Sequence, residues 1–165
     1  MIKKLLLALL IAIPFTSFAQ GKFGIVDVQK VLEGVPAYTK MQTDLQEAAK
    51  KYEDEMKKLD TEYQTKVEEF QKLDPSTPDG IKQRRIEELQ ALEQRAAQYQ
   101  QTAQQDLQRQ QQTLMAPILQ DFQAAVSAVG DEGSFTFIFE KGSSLYSGRM
   151  VEDVTQLVLN KMLKK

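Results

Sequence analysis

Between Tyr38 and Leu73 the apolar residues fall at Met41, Leu45, Ala48, Tyr52, Met56, Leu59, Tyr63, Val67 and Phe70. Steps of three or four place all of them on one side of an α-helix. The pattern closes every eleven residues: Met41 with Tyr52 and Tyr63, Leu45 with Met56 and Val67, Ala48 with Leu59 and Phe70. Eleven residues over three turns is about 3.67 per turn, so the stripe runs almost straight along the helix. At about 1.5 Å per residue such a helix is roughly 55 Å long. That is an arm, and its stripe needs a partner.

The partner follows at once. Asp74-Pro75-Ser76-Thr77-Pro78-Asp79-Gly80 is a dense turn signal. Thr77 reads as the cap of a return helix, with Pro78 at its first position and Asp79 at the positive end of its dipole. That helix carries Ile86, Leu89, Leu92, Ala96, Tyr99, Ala103, Leu107 and Leu114 on one face. So short a turn forces the two helices antiparallel. Nine glutamines crowd residues 98–112 and read as a solvated face. From Leu114 to Val129 apolar residues cover more than one face, which predicts burial on several sides. Pro117 predicts a bend where the arm enters a compact body.

The body comes from both ends of the chain. Lys22 to Val28 alternates as a short strand, and Asp27 can cap a helical turn through Leu32. Gly34 and Pro36 punctuate the chain before the arm. Gly130-Asp131-Glu132-Gly133 ends the return helix. Ser134 to Glu140 reads as a strand with Phe135, Phe137 and Phe139 on one face. Ser143 to Ser147 reads as another, around Leu145 and Tyr146. Asp153 caps a final helix with Val154, Leu157, Val158 and Met162 on one face. The predicted fold class is α+β, mainly α: a long antiparallel helical hairpin, residues 37–113, on a small β-containing body, residues 20–36 plus 114–165. Bodies below about 80 residues are marginal without disulfides, metal or oligomerisation. The chain has no cysteine, which leaves oligomerisation.

Composition narrows the chemistry. The 165 residues include neither histidine nor cysteine, which removes the commonest general base, the commonest metal ligand and any thiolate nucleophile. No GxxxxGK[ST], GxSxG or HExxH motif is present, and carboxylates lie on solvated helix faces. The chain reads as a non-enzyme with no cofactor or metal. Residues 1–19 read as an export signal: Lys3 and Lys4, an apolar run from Leu5 to Ile13, Pro14, then Ser17-Phe18-Ala19 with cleavage after Ala19. The apolar run is too short to span a bilayer, and no following cysteine offers a lipid anchor. Removing Lys3 and Lys4 leaves 19 of 21 basic residues against 23 acidic ones, so the mature chain is acidic. Bulk charge gives no argument for nucleic acid.

Taken in order, these parts resemble the Skp/OmpH family of periplasmic chaperones. The pieces are the signal, the opening strand Lys22-Phe23-Gly24-Ile25-Val26-Asp27 with Val31-Leu32, the hairpin, the aromatic strand, Leu145-Tyr146, and Asp153-Val154-Thr155 opening an apolar helix. The resemblance covers essentially the whole chain. It implies a homotrimer whose bodies pool their strands and whose arms surround a cavity. It also implies an ATP-independent holdase for unfolded outer-membrane β-barrel proteins. Family members often carry basic arm tips. Here residues 60–88 hold Lys66, Lys72, Lys82, Arg84 and Arg85 against eight acidic residues, which leaves lipopolysaccharide contact without its charge basis.

On this reading the stripe is hairpin packing. Client contact falls to Tyr38, Met41 and Met56 at its margin, where the flexible thioether adapts to many surfaces. Phe135, Phe137 and Phe139 are body core or subunit interface. The rival reading is a periplasmic trimeric spacer or adaptor with one specific folded partner.

Overall fold

The computed structural model describes residues 21–164; the expected export signal lies outside them. Its elements are β1 (Lys22–Val26), α1 (Val28–Glu33), α2 (Pro36–Gln71), α3 (Asp79–Gly133), β2 (Phe135–Glu140), β3 (Val151–Asp153) and α4 (Thr155–Leu163). The Asp27 carboxylate accepts the Lys30 N–H at 3.1 Å and caps α1. Pro36 opens α2 within its first turn, where a missing N–H costs nothing.

The hairpin forms as the stripe requires. Tyr52 donates to Asp106 at 2.6 Å, Tyr63 to Glu93 at 2.6 Å, and Lys66 to Glu88 at 3.3 Å. Partner numbers fall as α2 numbers rise, so the helices are antiparallel. Met41, Leu59, Leu92 and Ala103 are buried along the seam, and the Tyr52 and Tyr99 rings meet at 5.8 Å. The tip turn is organised by Asp74, not Thr77. The Asp74 carboxylate accepts the Ser76 N–H at 2.8 Å, and its carbonyl accepts the Thr77 N–H at 2.9 Å. Pro78 is the cap residue of α3 and makes no side-chain bond.

α3 has 55 residues against 36 in α2. Its surplus carries the chain through Pro117 without interruption into the body. There a parallel sheet of order β2-β1-β3 lies under α3 and α4. Val26, Val31, Ala125, Val129, Val154 and Val158 form its core. A second cluster, Leu32, Met41 and Ile118, marks where arm meets body, and Val28 and Met162 pack against both clusters. The Asp27 N–H donates to Thr155 Oγ1 at 2.9 Å, tying the opening strand to the last helix.

Residues 143–147 are not a strand; the third strand is Val151–Asp153. Ser144 Oγ donates to the Tyr146 carbonyl at 2.6 Å, and Ser143 Oγ to the Glu140 carbonyl at 2.7 Å. Such local side-chain bonds compete with a ladder. Meanwhile Val151–Asp153 lies beside β1, where the Val154 N–H donates to the Ile25 carbonyl at 2.9 Å. Asp153 ends the strand and accepts the Thr155 N–H at 3.1 Å, and Val154, not Asp153 as expected, is the cap residue of α4.

Candidate interaction surfaces

The pairing of β1 with β2 shifts between Lys22 and Phe23: Lys22 pairs with Phe135, yet Phe23 pairs with Phe137. Thr136 is therefore an extra residue, a bulge, and a bulge reverses the alternation of faces. Phe135 turns to the helix side. It packs against the core with Ile138, under the Lys22 ammonium at 4.0 Å from the ring centroid. Phe137 and Phe139 point the other way and stack at 5.8 Å, with Phe23 stacked on Phe137 at 6.3 Å. The three phenylalanines thus do not share a face, and Phe23 takes the place expected of Phe135.

This outer face is open. Phe137 is 57% exposed, and Phe23 and Phe139 are exposed beside it. Parallel sheets ordinarily have both faces covered. The connection from β2 to β3 is barer still, with Leu145 at 109% and Tyr146 and Met150 also exposed. Leu145 and Tyr146 carried a signal in the sequence, an apolar pair inside a Gly/Ser-rich stretch. Phe23 carried none.

The arm is a different kind of surface. Met41 is only 5% exposed, held between Leu32 and Ile118, so it supports the hairpin base. Tyr38 packs against the same cluster but stays half-buried, as does Met56 further along the stripe. Ile81 and Ile86 near the tip are exposed; Ile86 was expected on the apolar face of the return helix, and Ile81 was not singled out. Charges on the arm are locally paired: Arg85 with Glu88 at 2.8 Å, Lys66 with Glu88 at 3.3 Å, and Lys72 with Glu68 at 3.5 Å. Arg85, and then Lys66, hold Glu88 below the usual carboxylate range. Hydrogen bonds from Tyr52 and Gln110 likewise hold Asp106 down, and Asp106 in turn raises the Tyr52 hydroxyl. These bonds clasp the two helices of the arm to each other and hold charges along it.

Residues 22–162 match the family described as outer membrane protein (OmpH-like). The chain belongs to this family. The OmpH-like chain also resembles a crystal structure from Caulobacter crescentus CB15, a candidate outer membrane chaperone (OmpH-like). That likeness has a TM-score of 0.75 at 11% identity and covers 87% of this chain and 85% of the other; at so low an identity it concerns the fold alone. No curated protein matches the chain closely enough to count as a relative. Among the described residues no helix is long and apolar enough to cross a membrane.

Proposed function

We propose that the OmpH-like chain is an ATP-independent periplasmic holdase chaperone for unfolded outer-membrane β-barrel proteins. Three copies associate through their bodies, and the arms enclose a cavity that keeps a client from aggregating. The observation that carries this reading is the pairing of a long two-helix arm with a small body whose aromatic sheet face is open. The open face calls for copies of the chain, and arms rooted in one body surround a common space. Family membership over residues 22–162 supports the same reading, as does the fold shared with a candidate outer membrane chaperone.

Client contact is assigned to the exposed parts of Tyr38 and Met56 and to Ile81 and Ile86. Met41 acts by holding the arm root. Each such contact contributes about 1 kcal/mol. Held on several arms around one client, weak contacts act at high effective concentration. Release needs no fuel, because a client that folds in the membrane withdraws the unfolded form from equilibrium.

The test is to dilute several unrelated denatured outer-membrane proteins into buffer with the purified chain and no nucleotide. A holdase suppresses light scattering for all of them. Binding to one folded protein, with no suppression, would instead identify the spacer reading.

A further inference from the structure

α3 carries a second stripe, and it is made of glutamine. It starts at Gln90 and ends at Gln112, with Gln94, Gln98, Gln101, Gln105 and Gln108 between. Steps of three or four put all of them on one side of the helix, and every one is exposed. That side faces away from α2. Gln101 and Gln105 stand two residues either side of buried Ala103 in the seam, a turn of roughly 200° about the helix axis. Gln110, which donates to Asp106 at 2.6 Å, belongs to the seam instead. Among the described residues no carboxamide of the stripe has a partner within the chain. Solvation alone does not call for such a stripe: α2 meets water with ion pairs such as Lys40 with Asp44 at 2.9 Å and Lys57 with Glu53 at 2.7 Å. Between residues 96 and 112 of α3 the charges are Asp106 and Arg109, and these pair with each other.

We propose that this stripe holds the peptide backbone of an extended client segment. The proposal rests on the holdase reading above and names what the arm binds besides apolar side chains. A carboxamide is a peptide group on a flexible stem: its nitrogen donates and its oxygen accepts. An unfolded β-barrel chain exposes peptide N–H and C=O groups that find partners only when its neighbouring strands are in place. Glutamine meets both kinds of group, whatever the client's sequence. A phosphate or nucleic-acid partner would find no fixed charge along the stripe, and an amphipathic helix would find no apolar groove. The lengths agree as well. From Gln90 to Gln112 the stripe runs about 33 Å, which an extended chain covers in about ten residues. One membrane-crossing β-strand has about 9–11. Successive glutamines stand about 4.5–6 Å apart along the axis, against roughly 6.7 Å between like-facing residues of a strand; the side-chain stems take up the difference. Each bond is weak in water, so the strand neighbours of the folded barrel replace them all.

The test puts Gln94→Ala, Gln98→Ala, Gln101→Ala, Gln105→Ala and Gln108→Ala together in the full chain. Alanine is the best helix former, and these side chains bond to nothing in α2, so circular dichroism and sedimentation should match the unsubstituted chain. Affinity for a denatured outer-membrane β-barrel protein should fall about tenfold. The factor should be the same at low and high salt, since no charge is removed. A second variant with asparagine at the same positions keeps the carboxamides and should regain most of the loss. Unchanged affinity in the alanine variant would overturn the proposal and leave the holdase reading intact. Equal weakness of the two variants, both helical, would overturn it as well, because the lost contact would then be bulk and not carboxamide. A smaller particle in sedimentation would make the stripe a contact between copies instead. If the unsubstituted chain holds no denatured client, this proposal and the holdase reading both fail.

Discussion

A Cβ at position 133 would lie 2.4 Å from the Phe135 ring, closer than any real contact. The ring is packed against the core beneath Lys22, so it must shift out of that contact to make room. Gly133→Ala should therefore cost about 1–3 kcal/mol. A Cβ at position 34 would meet the Leu159 methyls at 2.8 Å, but a leucine terminus can rotate, so Gly34→Ala should cost less. The left-handed residue that ends α3 is Ser134, at φ 51° and ψ 41°. Ser134→Gly should stabilise by about 1 kcal/mol, since glycine adopts that conformation without a Cβ penalty. Urea unfolding of the three variants ranks them: equal midpoints for the two alanine variants would mean that the ring moves freely. The glycine-bearing stop was legible as a helix end. The division of labour was not, with Gly133 clearing space for a ring and Ser134 taking the strained turn. Alternation along residues 134–140 predicts one aromatic face, and a bulge is a property of the paired strands that one strand's sequence does not display.

Along the arm, hydrophobic packing is helped by tyrosine–carboxylate clasps at two levels. Their pH window follows from the shifts. Asp106 is held low by Tyr52 and Gln110, so its share of stability is present above the ordinary carboxylate value, about 3.9, and is lost as pH falls through the folded value. Tyr52 is held high by Asp106, so its share is present below about 10 and is lost as pH rises through the folded value. Tyr52→Phe should lower the melting temperature by a degree or so between about pH 5 and 9, with the gap narrowing as pH falls below the ordinary carboxylate value of about 3.9 toward the folded value of Asp106. A gap that stayed constant down to pH 3 would mean that the hydroxyl acts by packing alone. At the far end the turn around Asp74 is held mainly by its own local bonds. Amide exchange should be fastest at residues 74–80 and slowest around Ala125 and Val129 in the core; equal protection would contradict an arm standing off a body. The hairpin was legible because the stripe and the turn signal agree. β3 was not, because three residues become a strand only when β1 presents an edge and Thr155 fixes the following turn.

At the level of the whole molecule, the proposed client holding depends on the proposed self-association. Phe137 is largely exposed in the single chain, so Phe137→Asp should leave the chain folded. Placed at a contact between copies, the same charge would lose its hydration without a partner, a cost of several kcal/mol. The expected variant is a helical single copy with little power to prevent aggregation, read by sedimentation, circular dichroism and light scattering together. A variant that stays assembled would remove the outer sheet face from the interface. The claim that joins body to arms is that several arms hold one unfolded chain. Its most direct measurement is the mass of the complex formed with a denatured outer-membrane β-barrel protein, taken by native mass spectrometry. The account predicts one dominant species of three copies with one client. One copy per client, or a client bound equally well by the Phe137→Asp single copy, would contradict it.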